Sequence, residues 1–249
     1  MNTLYVGFDT HIDLPKGGYL LIDDEPPSVP RSRIFDVSEH CFNPLKDISY
    51  KTARELASVL YTVYPQGDAT LSVRDGRIKL RDMLEKASRL DRIEAPMDKT
   101  DRGAVDAYNL VKDILASPVL KRVLCNPTNF SFRPNSRIVA RLNRSELGDF
   151  DALVLGLFLM AHHKGQVVVT DFGFYGRDAH GALVREKRLS AQVNSLDELP
   201  SRLRRDLLSI EDKKCSRALY EDAEIFARYE GHVPHTVEWN QFMGKAMGI

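Results

Sequence analysis

Asp171 closes the apolar stretch Gln166-Val167-Val168-Val169-Thr170. An acid at the end of a buried strand is placed to hold a divalent cation such as Mg²⁺. Nucleotide chemistry would also need a phosphate cradle, and no G-x-x-x-x-G-K-[ST] occurs in the 249 residues. Consecutive backbone N–H groups, a lysine for the β/γ-phosphates and a hydroxyl for Mg²⁺ are therefore not supplied by that motif. A second pattern with chemical potential is Asp9-Thr10-His11-Ile12-Asp13. A period of two puts Asp9, His11 and Asp13 on one side of an extended segment, as a shared metal requires. This reading makes the chain a metal-dependent hydrolase or nuclease, with Asp171 as a further ligand. The plainer reading is a polar hairpin turn ahead of Pro15-Lys16-Gly17-Gly18.

Other sets do not carry chemistry. His162 and His163 are neighbours at a helix end, about 100° apart, a poor ligand pair; a positive group at a helix C-terminus is the simpler account. Asp171-Phe172-Gly173 matches a kinase triplet, yet no Gly-rich loop, strand lysine or H-R-D accompanies it. Asp171 also suits an Asx-type cap. Arg202, Arg204 and Arg205 are interleaved with Asp197, Glu198 and Asp206, which reads as a solvated surface. No G-x-S-x-G or G-x-G-x-x-G is present, so nucleophilic catalysis and dinucleotide binding find no support.

The elements that would position these residues alternate. Strands are predicted at Leu4–Phe8, Tyr19–Ile22, Arg33–Val37, Arg137–Leu142, Gln166–Thr170 and Arg188–Val193. Helices are predicted at Tyr50–Tyr64, Gly76–Ser88, Asp101–Leu115, Gly148–His163, Leu199–Ser209 and Glu221–Glu230. The helix before His163 is apolar nearly all round, which places it deep in the fold, and the valine run after it suits a parallel strand covered on both faces. Such alternation implies a mostly parallel sheet between helical layers, with ligands at the carboxyl ends of strands near Asp23, Asp171 and Gln192. Residues 1–249 form a single α/β domain in this reading, and residues 65–135 a helical insert.

The 35 basic and 35 acidic residues cancel, which argues against bulk-charge nucleic-acid binding without excluding a local basic patch. Cys41, Cys125 and Cys215 are widely spaced, with no C-x-x-C, so free thiols, a reducing cytoplasmic compartment and no zinc are expected. No secretory signal is visible at the start, and no apolar run approaches the ~20 residues of a membrane span.

Several segments, in order, resemble the motor domain of the FtsK–HerA group of DNA-pumping ATPases, nearest the conjugative coupling proteins. Leu21-Ile22-Asp23 through Pro30, Arg33-Ile34-Phe35-Asp36-Val37 and Phe42-Asn43-Pro44-Leu45 resemble the group's second strand and its "FNPL" turn. Arg137-Ile138-Val139-Ala140-Arg141-Leu142 with Glu146-Leu147-Gly148 resembles its following strand and helix start. Gln166 to Asp171 falls where the acidic Walker B strand belongs, Ser190-Ala191-Gln192 resembles the sensor strand, and Arg217 with Asp222-Ala223 resembles a stretch near the domain end.

The resemblance implies a three-layer α/β fold of RecA-like motor type. It assigns Asp171 to metal, Gln192 to γ-phosphate sensing and Arg217 to a contact in trans. Three departures weaken activity. The phosphate loop is missing, and Asp9 to Gly18 is too short to hold a loop plus helix. Phe172 stands where the family has a water-polarising glutamate. Ser216 replaces a phenylalanine. Without the lysine clamp and the glutamate, phosphoryl transfer loses its main electrostatic support. The expectation is a degenerate, non-hydrolysing relative with no cofactor, binding Mg²⁺ or ATP only if residual affinity is retained. Its expected partners are a protein or further copies of itself, with DNA as a possible ligand. The remaining alternative is a plain structural protein.

Overall fold

The computed structural model describes residues 4–6, 14, 16–26, 28–63, 70–170, 172–175, 189–191, 215–221 and 224–229. The strands are β1 Leu4–Val6, β2 Tyr19–Asp23, β3 Arg33–Asp36, β4 Arg137–Arg141, β5 Gln166–Val169, β6 Leu189–Ala191, β7 Cys215–Glu221 and β8 Glu224–Tyr229. The helices are α1 Tyr50–Val63, α2 Thr70–Lys86, α3 Arg102–Ala116, α4 Pro118–Cys125, α5 Arg144–Leu147, α6 Asp149–His162 and α7 Phe172–Tyr175.

A five-stranded sheet has the order β3-β4-β2-β5-β6, and each of its pairs is parallel. The expected mostly parallel α/β sheet is present. Its central strand explains the continuous apolar run in the sequence. Tyr19, Leu20, Leu21 and Ile22 are all buried, because both faces of β2 are covered. Leu20 and Ile22 join Phe35, Ile138, Ala140, Val167 and Val169 in the core shared with the helices. Tyr19 and Leu21 meet Val139 and Val168 on the opposite face.

The helix α6 packs into the helix-side core along most of its length, from Ala152 to Met160. Asp149 and Asp151 occupy its first turn, where the helix dipole favours negative charge. The helix expected from Gly148 is preceded by the short α5. Gly148, at φ 80°, makes the break between them, a left-handed conformation that glycine adopts without penalty.

The helix α4 lies in the region expected to be a helical insert. Ser117 caps it, its Oγ accepting the Leu120 N–H, and Pro118 sits in the first turn, where its missing N–H does no harm. The helix α2 starts at Thr70 instead of Gly76.

Two expectations need correction. The helix expected over 221–230 is a hairpin: β7 and β8 pair antiparallel, with Glu221 opposite Glu224. Ile225, Phe226 and Tyr229 are strand formers by type, and pairing with β7 overrides the weak helical spacing. The first strand does not enter the parallel sheet. It pairs antiparallel with β8 in a separate three-stranded sheet of order β1-β8-β7. The helix expected over 199–209 lies outside the described residues.

Candidate functional site at the carboxyl edge of the sheet

Parallel strands bring their carboxyl ends to one edge, and the register sets which side chains meet there. Arg141 at the end of β4 is the Cα partner of Asp23 on one side and of Asp36 on the other. Leu142 donates its N–H to the Asp23 carbonyl at 2.9 Å, and Thr170 donates its N–H to the Ile22 carbonyl at 3.3 Å. The ends of β4, β2 and β5 are thereby stitched together.

The described aspartates at this edge hold turns or a helix start. Asp23 accepts the Glu25 N–H at 2.9 Å. Burial raises its pKa above the usual carboxylate value, opposed by hydrogen bonds from Glu25 and Thr170. Asp24 accepts the backbone N–H of Arg144 and lies 3.3 Å from the Arg144 Nε. Asp36 accepts the Ser38 N–H at 2.7 Å and the Ser38 hydroxyl at 2.5 Å, and these bonds hold its pKa below the ordinary value. Asn143 caps α5 by accepting the Ser145 N–H at 3.0 Å. Arg141 makes a loose ion pair with Glu146 at 3.6 Å, both side chains half exposed or more. Beside these groups lies an open cleft of about 750 Å³ lined by Ser28, Ser32, Ile34, Asp36, Val139 and Arg141.

Asp23 supplies a test of this electrostatics. A carboxyl whose folded pKa is raised favours folding when protonated. That contribution is present below the unfolded value and is lost as pH rises through the folded one. Asp23→Asn keeps an acceptor for Glu25 and removes the buried charge. It is expected to raise the urea midpoint at pH 7, with the gain shrinking toward zero below about pH 4, the usual unfolded Asp range.

Asp171, Gln192, Asp9, His11 and Asp13 lie outside the described residues. The strands that lead to Asp171 and Gln192, β5 and β6, are neighbours in the sheet. Arg217 is on β7, in the antiparallel sheet. Among the described residues, no group of three His, Cys, Asp or Glu is placed to hold a metal ion. Asp24, Asp36, Arg141 and Arg144 were not singled out from sequence as edge residues; their positions just after or at the ends of apolar strands were the available signal.

The pair at the end of α6 also differs from expectation. His162 is not a positive end-group. Its ring lies 5.2 Å from Phe42 and 5.3 Å from Phe132, and burial, then nearby Lys164, lowers its pKa to about 4. His163 is buried and donates its N–H to the Leu159 carbonyl.

No family model matches the chain, and no curated protein matches it. Solved structures do. The chain is similar in fold to a conjugative coupling protein. The plasmid coupling protein TrwB in complex with ADP and Mg²⁺ matches with a TM-score of 0.43 at 12% identity, over 74% of this chain and 58% of that one. The trigonal form of TrwBdeltaN70 in complex with sulphate matches at 0.43 and 12%, over 76% and 60%. Its unbound monoclinic form matches at 0.42 and 12%, over 86% and 71%. The chain thus spans 58% of the length of the first TrwB structure. Among the described residues, no helix is long and apolar enough to cross a membrane.

Proposed function

We propose that this chain is a motor-like accessory that does not hydrolyse nucleotide, acting as a scaffold or as a subunit beside an active motor. DNA translocation, or the assembly of a mobile element or virus, is the setting that the coupling-protein resemblance suggests. The carrying observation is the state of the carboxyl edge. Asp23, Asp24 and Asp36 each accept backbone N–H bonds that hold the turns after β2 and β3 or the start of α5. Carboxylates committed in this way stabilise loops, and the cations and N–H donors that a transferring phosphoryl group needs are not what they supply. The lack of a G-x-x-x-x-G-K-[ST] in the sequence supports the same reading.

In this reading the helical region 65–135 is an insert in the sheet domain and a surface for a protein partner or a further copy. TrwB is described in complex with ADP and Mg²⁺. Any residual binding of that kind here would fall to Asp171, Gln192 and Arg217. Phosphate release by the purified chain with ATP and Mg²⁺, with and without duplex DNA, tests the proposal. The expected rate equals the protein-free blank in both cases. Turnover, with or without DNA, would overturn it.

A further inference from the structure

A second cavity lies at the other end of the sheet. Pro134 and Lys164, which line it, stand just before β4 and β5, whereas the candidate edge lies where those strands end. Its volume is about 540 Å³, enough for a small organic molecule. One wall is apolar, formed by Pro44, Phe132, Pro134 and Ala161. The Phe132 ring is fixed there by edge contacts with Phe42 and His162, each with ring centres 5.3 Å away.

The polar lining offers mainly donors. Lys46 and Lys164 each bring an ammonium group. Thr128 Oγ1 accepts the Asn43 N–H at 2.9 Å, so its own O–H is left to donate. Ser49 Oγ and Thr52 Oγ1 lie 2.9 Å apart; one hydroxyl hydrogen makes that bond and the other is left over. Ser49 precedes α1 and Thr52 lies in its first turn, where the helix dipole favours negative charge. The Asn43 amide is engaged elsewhere, its Oδ1 accepting the Leu45 N–H and its Nδ2 donating to the Ser88 carbonyl. Asp47 is the acid in this lining. Two lysines against one aspartate leave a single net positive charge, with His162 neutral at pH 7.

We propose that this cavity binds a small monocarboxylate with an apolar body. The carboxylate, an acceptor only, takes the ammonium and hydroxyl donors, and the body lies against Phe132 and Pro134. One negative charge matches the lining, whereas a polyphosphate carries several that the lining does not balance.

Calorimetric titration of the full chain with benzoate tests the proposal, with benzyl alcohol as the same ring without the charge. Benzoate is expected to saturate one site with a Kd of about 1 mM, and benzyl alcohol to bind about tenfold more weakly or worse. The ring resonances of His162 should shift as benzoate is added. Lys46 is exposed, so Lys46→Ala leaves the core intact; it is expected to weaken benzoate about fivefold. Lys99→Ala, outside the cavity lining, should leave the affinity unchanged. No saturable benzoate binding would overturn the proposal. So would equal affinity for benzyl alcohol, unmoved His162 resonances, no loss in Lys46→Ala, or an equal loss in both lysine variants.

Discussion

Between pH 6.5 and pH 4 the folded protein is expected to lose on the order of 3 kcal/mol of stability through His162. The folded pKa is pushed down from 6.5 to about 4, chiefly by burial beside Phe42 and Phe132 and secondarily by Lys164. A base with a lowered folded pKa binds its proton more readily in the unfolded chain. Stability is therefore full above 6.5 and falls as the pH drops toward 4, by roughly 1.4 kcal/mol per pH unit once the unfolded histidine is protonated. The loss levels off below the folded value. His162→Phe keeps a ring against Phe42 and Phe132 and removes the titration. The wild-type urea midpoint should fall relative to that of His162→Phe as the pH drops from 6.5 to 4. Parallel curves would show that His162 is not held neutral.

Gly18→Ala is expected to destabilise the protein by about 3 kcal/mol, the upper end for overpacking. A Cβ at this position would lie 2.3 Å from the Asn135 carbonyl carbon, 2.4 Å from the Pro134 oxygen and 2.5 Å from the Asn135 Cα. All three are backbone atoms, so no side chain can swing away. The close approach lies where the sheet starts: the Tyr19 N–H donates to the Ser136 carbonyl at 3.1 Å, aligning β2 with β4. Gly17→Ala is the control, since nothing lies within 4 Å of its Cβ position. It should be neutral or slightly stabilising through the unfolded chain. Equal midpoints for the two variants would mean that the approach of Gly18 to the 134–136 turn is relaxed at little cost.

The sheet was legible because its strands are short apolar runs and carry their own signal. Tyr19–Ile22 and Gln166–Val169 are apolar without alternation, and only burial on both faces accounts for that. The order of the strands was not legible. Nothing local in the sequence states that β4 inserts between β3 and β2, since parallel pairing is fixed by helices crossing from one edge to the other.

The hairpin of β7 and β8 was misread because Glu221–Glu230 mixes charged and apolar residues at a spacing that helix and strand both tolerate. Pairing across the turn decides between them. His162 was misread for a related reason. Its place at a helix end is visible in sequence, while the rings of Phe42 and Phe132 reach it from distant segments.

The carboxyl edge was partly legible. An acid at a strand end, such as Asp23, can be marked as a candidate from sequence. Which N–H groups face it is not visible in sequence; the structure gives hydrogen bonds from Glu25, Ser38 and Arg144 to Asp23, Asp36 and Asp24. Arg144 itself begins a very short helix and has no distinctive spacing. Its contact with Asp24 follows only from the adjacency of β4 and β2.

Calorimetric titration of the purified chain with Mg-ATP, with Mn²⁺ alone as a parallel titrant, tests the proposed accessory role most directly. No saturable heat from either titrant is expected. Tight Mg-ATP binding at one site per chain, beyond the residual affinity the reading allows, would contradict it. Mn²⁺ binding without ATP would also contradict it, in favour of a metal centre at Asp9, His11 and Asp13.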